Sequence, residues 1–174
     1  LAVAFDLKEP TFRHKMYADY KGTRKPMPEE LREQVPLMKE VLAAMGVPIL
    51  TMAGYEADDI LGTIAKRCQA EGEEVSVVSG DRDLLQLADT HIKIRIPKTS
   101  RGTTEIHDYY PEDVKREYQV TPTEFIDVKA LMGDTSDNIP GVPSIGEKTA
   151  TNLIVAYGSI ENAYAHLDEV KPPR

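Results

Sequence analysis

Cysteine occurs once in these 174 residues, at Cys68, so no internal disulfide can staple the chain. Its register with Ile60, Leu61 and Ile64 on a predicted helix makes a buried, inert thiol the expectation. No apolar run approaches the ~20 residues needed to cross a bilayer, and no charged-then-apolar leader opens the chain. A cytoplasmic protein is expected on those grounds. No G-x-G-x-x-G follows a strand-like run, which argues against a dinucleotide enzyme. The four histidines, His14, His91, His107 and His166, lack metal-ligand spacing and read as surface or packing residues. Internal repeats and low-complexity tracts are also missing.

What is present fits a soluble α/β globule. A composition of 41% hydrophobic and 29% charged residues is ordinary for one domain, or one domain with an appendage. Apolar runs predict strands over residues 1–6, 47–52, 75–79 and 91–96, with 104–107 pairing back across a turn at 99–102. Helices are predicted from Pro28 to Met45, with an apolar face of Leu31, Val35, Met38, Val41, Leu42 and Met45, and over residues 56–70 and 82–87. After residue 110 only helices are expected. Pro111 and Pro122 stand at first helical turns, the second behind the candidate cap Thr121. Further helices are predicted over 146–157 and 159–168, stopped by Gly158 and by Pro172-Pro173. Alternation followed by a helical run predicts a mostly parallel sheet flanked by helices over residues 1–110, and a smaller helical subdomain over 111–174.

Eight carboxylates fall in four short clusters: Asp6; Glu56, Asp58 and Asp59; Asp81 and Asp83; Asp134 and Asp137. Asp6 and Asp81 follow the apolar runs Leu1–Phe5 and Val75–Val78, at the carboxyl ends of predicted strands, where open α/β sheets bind ligands. Each cluster also has a bland reading. Acids at a helix start suit the dipole, and Gly80-Asp-Arg-Asp83 suits a turn with a cap. Convergence favours a cation site, because so much like charge on one sheet edge repels itself. All-oxygen ligands select Mg²⁺ or Mn²⁺.

A net charge of −8 and a pI near 5.0 at first argue against a nucleic-acid partner. Two divalent ions in the acid clusters would halve that charge. Lys8, Arg13, Lys15, Lys21, Arg24 and Lys25 also stand together against only Glu9 and Asp19, a stretch able to follow phosphates. Were residues 13–24 helical, Arg13, Tyr17, Tyr20, Lys21 and Arg24 would share a face fit to stack an unpaired base. Near the other end, residues 133–150 predict a glycine-rich hairpin between two helices. Its bare amides and Lys148 on the next turn suit a phosphate, and its plain alternative is a tight packing loop.

Phe5-Asp6, the run from Thr11-Phe-Arg-His-Lys to Tyr20-Lys-Gly-Thr-Arg24, Gly54-Tyr-Glu-Ala-Asp-Asp59, Ser79-Gly-Asp-Arg-Asp-Leu84, Gly133-Asp-Thr-Ser-Asp-Asn-Ile-Pro-Gly141 and Ile145-Gly-Glu-Lys-Thr-Ala150 together resemble the flap endonuclease family. Within it they are similar to the 5′-nuclease domains that open bacterial type I DNA polymerases. The resemblance covers nearly the whole chain. It implies a PIN-like α/β fold with a helix–hairpin–helix subdomain, and hydrolysis of DNA phosphodiesters at 5′ flaps and nicks, in replication and repair.

The resemblance also implies roles. Asp6, Glu56, Asp58 and Asp81 would hold the water-activating ion, with Asp59 beside them or behind. Asp83, Asp134 and Asp137 would hold a second ion or its waters. Arg13 and Lys21 would act on the scissile phosphate, and Lys15, Tyr17, Tyr20 and Arg24 would contact DNA. Gly141, Ser144, Gly146, Lys148 and Thr149 would hold DNA at the hairpin, with K⁺ on the carbonyls of Val142 and Ile145. Bacterial members work in the cytoplasm at the nucleoid, with a polymerase following in the same chain. Against such members the sequence begins after a first strand and its aspartate and stops early, so an incomplete, weakly active fragment is expected. A non-catalytic module for branched DNA and a Mg²⁺-dependent PIN-type ribonuclease remain as alternatives.

Overall fold

Short apolar runs become strands where the pattern places them, though the first two are brief. In the computed structural model, which describes residues 1–100 and 102–170, β1 (Val3–Ala4) and β2 (Ile49–Leu50) pair in parallel with Val3 opposite Ile49. The chain forms two compact units, the first from Leu1–Thr63 with Ser136–Ile139, the second from Ile64–Thr135 and the chain from Pro140 onward.

The first unit carries β1, the short α1 (Phe12–Met16), α2 (Glu29–Ala44), β2 and the start of α3 (Ala57–Ala70). The predicted apolar face of α2 is not a core face among the described residues. Leu31, Met38, Val41 and Met45 are exposed, and only Val35 and Leu42 are half-buried. Two strands of two residues each offer little surface for a sixteen-residue helix to cover. Pro36 inside α2 further removes one i→i−4 hydrogen bond.

The second unit holds the core. β3 (Val75–Val78) runs parallel to β4 (Ile92–Ser100), which pairs antiparallel with β5 (Thr103–Tyr109). Alternation along β4 buries Ile92, Ile94 and Ile96, as period-two side chains require. Both strands outrun their predicted bounds. Thr99 and Ser100 are not turn residues but pair with Thr104 and Thr103, and the Thr99 and Thr104 hydroxyls lie 2.8 Å apart, a cross-strand contact that suits β-branched residues. Of the predicted turn, Gly102 does turn, at φ +81°, while residue 101 and the Pro172-Pro173 stop lie outside the described residues.

Four α-helices follow: α4 (Pro111–Tyr118), α5 (Pro122–Met132), α6 (Glu147–Tyr157) and α7 (Ile160–Ala165), the last shorter than predicted and continued by a 3₁₀ turn at Leu167–Glu169. Pro111 and Pro122 open their helices as expected. At α5 the Thr121 hydroxyl accepts the Glu124 N–H at 3.3 Å, and Glu124 accepts the Thr121 N–H at 2.7 Å, a reciprocal cap. The minimal strands β6 (Gly133–Asp134) and β7 (Ile139–Pro140) form the hairpin between α5 and α6. Cys68 is half-buried rather than buried. Among the described residues no helix is long and apolar enough to cross a membrane.

Candidate active site

In the first unit the start of α3 gathers the acids. Asp6, just beyond β1, accepts the first helical amide, Ala57 N–H, at 2.7 Å, a carboxylate where the helix dipole favours one. Asp59 reaches back to the Glu56 N–H at 2.9 Å and takes the Arg13 guanidinium through both oxygens, at 2.7 and 2.8 Å. This bidentate fork is the strongest carboxylate partner in the side-chain repertoire. Arg13 holds the Asp59 carboxyl below its usual range against a smaller opposing effect of burial, and Asp59 in turn raises Arg13.

The basic stretch is not a helix beyond Met16. Tyr17 is extended, and the chain then turns through Gly22. A single helical face over residues 13–24 therefore does not exist, yet the turns bring most of the expected residues to the acids. Lys21 sits at φ +57°, a left-handed conformation costing a non-glycine residue about 1 kcal/mol or more. Its N–H donates to the Asp137 carbonyl at 2.8 Å and its ammonium to Glu56 Oε1 at 2.7 Å. Arg24 donates to the Ser136 carbonyl and pairs with the Asp137 carboxylate.

Tyr20 is 4% exposed, and its hydroxyl lies 2.9 Å from both Glu56 Oε2 and Asp137 Oδ2. Burial and these two carboxylates raise its pKa far above the usual tyrosine value. A ring so enclosed cannot stack a base, so that expectation is corrected: Tyr20 is a bridge between acids. Lys15 and Tyr17 remain exposed.

In the second unit Asp81 caps the 3₁₀ turn Arg82–Leu87 by accepting the Asp83 N–H at 2.8 Å. Lys129 of α5 lies 3.0 Å from Asp83 and 2.9 Å from Asp134. Burial raises the Asp83 carboxyl above its usual range, more than Lys129 lowers it, and the charges of Asp81 and Asp134 add to the rise. Burial opposes the charge of Lys129, but the hydrogen bonds to Asp134 and Asp83 outweigh it and leave its pKa raised. The sequence reading missed Lys129. A cation in the last turn of a helix that ends at Gly133-Asp134 was the available signal.

At the hairpin, a Cβ on Gly141 would stand 2.3 Å from the Met132 carbonyl carbon, so only glycine permits this approach. Ser144 takes φ +67°. Gly146 precedes α6 without a side-chain cap, leaving first-turn amides at Lys148 and Thr149 without that partner. The Val142 carbonyl accepts the Ile145 N–H at 3.0 Å.

The all-oxygen donor set suits a hard divalent ion. As placed, no three acidic, histidine or cysteine side chains among the described residues stand together as an ion-holding group. Glu56, Asp59, Asp83, Asp134 and Asp137 are instead met by the chain's own cations.

Two family descriptions match the sequence: "5'-3' exonuclease, N-terminal resolvase-like domain" over residues 1–119 and "5'-3' exonuclease, C-terminal SAM fold" over residues 120–174. The chain is 52% identical over 171 residues to DNA polymerase I of Bacillus caldotenax, covering 98% of this chain and 19% of that protein. It is 45% identical over 172 residues to the thermostable DNA polymerase I of Thermus filiformis, covering 99% and 20%. It thus spans about a fifth of the length of these curated relatives. Among solved structures, the T5 5'-exonuclease with bound zinc superposes at a TM-score of 0.78 and 27% identity, covering 99% of this chain and 65% of the other. The T5 D15 protein co-crystallised with metal ions gives 0.75 and 28%, covering 99% and 66%. The catalytic core of Rad2 in complex with DNA shares the fold at a TM-score of 0.61 and 17% identity, covering 92% and 49%.

Proposed function

The chain belongs to the 5'-3' exonuclease family, with the fold of the T5 5'-exonuclease, and from that premise we propose that it hydrolyses DNA phosphodiesters at 5′ flaps and nicks. The observation that carries the reading is the meeting of Arg13, Tyr20 and Lys21 with Glu56 and Asp59. These are the groups needed at a reacting phosphate: cations for its developing charge and carboxylates for a metal ion. Arg13 and Lys21 bind and orient the phosphate, and the Tyr20 hydroxyl holds Glu56 in place. Arg24 and Lys15 follow the strand on either side.

Divalent ions, Mg²⁺ or Mn²⁺, belong to the proposal. Asp6, Glu56 and Asp58 are the candidate ligands in the first unit, with Asp137 paired to Arg24. Asp81, Asp83 and Asp134 are the candidates in the second. A bound ion supplies the charge that turns water into a nucleophile. The uncapped α6 start with Lys148 and Thr149 binds duplex phosphates, and Gly141, Ser144 and Gly146 let the backbone approach. A K⁺ ion on the Val142 and Ile145 carbonyls would complete this hairpin. Linkage to a polymerase, which the name of those relatives supports, and work in the bacterial cytoplasm at the nucleoid belong to the same proposal.

The test compares a 5′-flap duplex with a blunt duplex of the same sequence. Binding should favour the flap, Mg²⁺ or Mn²⁺ should release a 5′ product, and EDTA should stop it. Equal affinity for both DNAs with no metal-dependent product would contradict the proposal.

A further inference from the structure

A cavity of about 250 Å³ in the first unit is lined by Thr11 and His14, by the cations Lys8, Lys21 and Arg24, and by the acids Asp6, Glu9 and Glu56. Two of its cations, Lys21 and Arg24, are already paired with Glu56 and Asp137. His14 is different. Its Nδ1 receives the Thr11 backbone N–H at 3.2 Å and lies 3.0 Å from the Thr11 hydroxyl. An amide N–H can only donate, so Nδ1 is the acceptor and the neutral ring carries its proton on Nε2. Thr11 is 5% exposed, and the ring stands edge-on to buried Tyr20 at 5.1 Å and 82°. Position and tautomer are thus both set, and Nε2 has no hydrogen-bond partner among the described residues.

We propose that His14 is a substrate-binding residue whose Nε2–H donates to a non-bridging oxygen of a DNA phosphodiester in this cavity, beside Lys8, Lys21 and Arg24. The inference rests on the nuclease reading above and adds a residue to it. A fixed N–H orients a phosphate with no carboxylate competing for it, whereas Lys21 and Arg24 share their donors with Glu56 and Asp137. It therefore contributes position where they contribute charge. Each lost cation contact lowers the salt dependence of DNA binding, whereas loss of this donor leaves that dependence unchanged.

The structural role of His14 as partner of Thr11 can be kept while the donor is removed. His14→Glu and His14→Gln both supply an oxygen for the Thr11 N–H, in the ordinary Thr-x-x-Glu/Gln cap, but only glutamine keeps an N–H for the phosphate. Affinity of the 174-residue chain for a 5′-flap DNA is measured by fluorescence anisotropy with Ca²⁺ in place of Mg²⁺, alongside melting curves. His14→Glu should bind about tenfold more weakly and His14→Gln within about threefold of the parent, with unchanged melting. A single methylphosphonate walked along the flap strand separates contact from general repulsion. At one linkage the parent should lose affinity while His14→Glu loses no more. Binding by His14→Glu equal to the parent, or a penalty additive with the methylphosphonate at every linkage, would overturn the assignment while leaving the nuclease reading intact. Failure of the parent chain to bind the flap DNA would overturn both.

Discussion

The acids of the two units are neutralised in opposite ways. In the first, Arg13 grips Asp59 through both oxygens and holds its carboxyl below the usual range. In the second, burial dominates at Asp83, and Lys129, shared with Asp134, does not cancel it, so that carboxyl is raised. The same residue type is thus locked in its charged form in one unit and left short of positive charge in the other. A divalent ion approaching Asp59 meets a bidentate guanidinium, whereas one approaching Asp83 meets one ammonium shared with Asp134 and relieves the remaining penalty of burial.

Five substitutions at four positions probe this contrast, in falling order of effect. Arg13→Ala leaves Asp59 and the start of α3 without their cation and should cost about 3 kcal/mol in urea unfolding at pH 7. Arg13→Lys should recover less than half, because an ammonium cannot form the fork. Asp59→Asn should cost about 2 kcal/mol at neutral pH. Because the folded carboxyl is lowered, that contribution is full above the unfolded value near 3.9 and is lost as pH falls through the lower folded one. Parent and variant should therefore converge in acid. Tyr20→Phe removes the bridge between Glu56 and Asp137 and should cost about 1 kcal/mol, read in the same unfolding series.

Asp83→Asn should change stability least, by about 0.5 kcal/mol or less because solvent screens this 42% exposed side chain, and toward greater stability at pH 7. A raised folded carboxyl contributes fully below its unfolded value and loses that contribution as pH rises through the folded one, so the variant should gain on the parent with rising pH. A loss of about 2 kcal/mol in Asp83→Asn, matching Asp59→Asn, would abolish the contrast.

Much of this site was legible in the chain. The acid clusters, the cation stretch and the hairpin glycines are local signals, and helix starts such as Thr121-Pro122 follow from capping chemistry alone. What was not legible depends on contacts distant in sequence. The path after Met16 is set by Lys21 N–H meeting the Asp137 carbonyl, 116 residues away, which no periodicity reports. That same path buries Tyr20, which helical spacing placed on an open face. The α2 stripe has helical period but little sheet beneath it, because β1 and β2 are two residues each. Lys129 carried no motif, and His14 read as packing until its cap with Thr11 fixed the tautomer.

The most direct measurement follows side-chain carboxyl carbons by NMR as Mg²⁺ is added to the chain at neutral pH. The account predicts that the Asp83 signal moves at lower Mg²⁺ than the Asp59 signal, and that Arg13→Ala brings Asp59 into step. Asp59 moving first in the parent chain, or neither carboxyl responding to Mg²⁺, would contradict it.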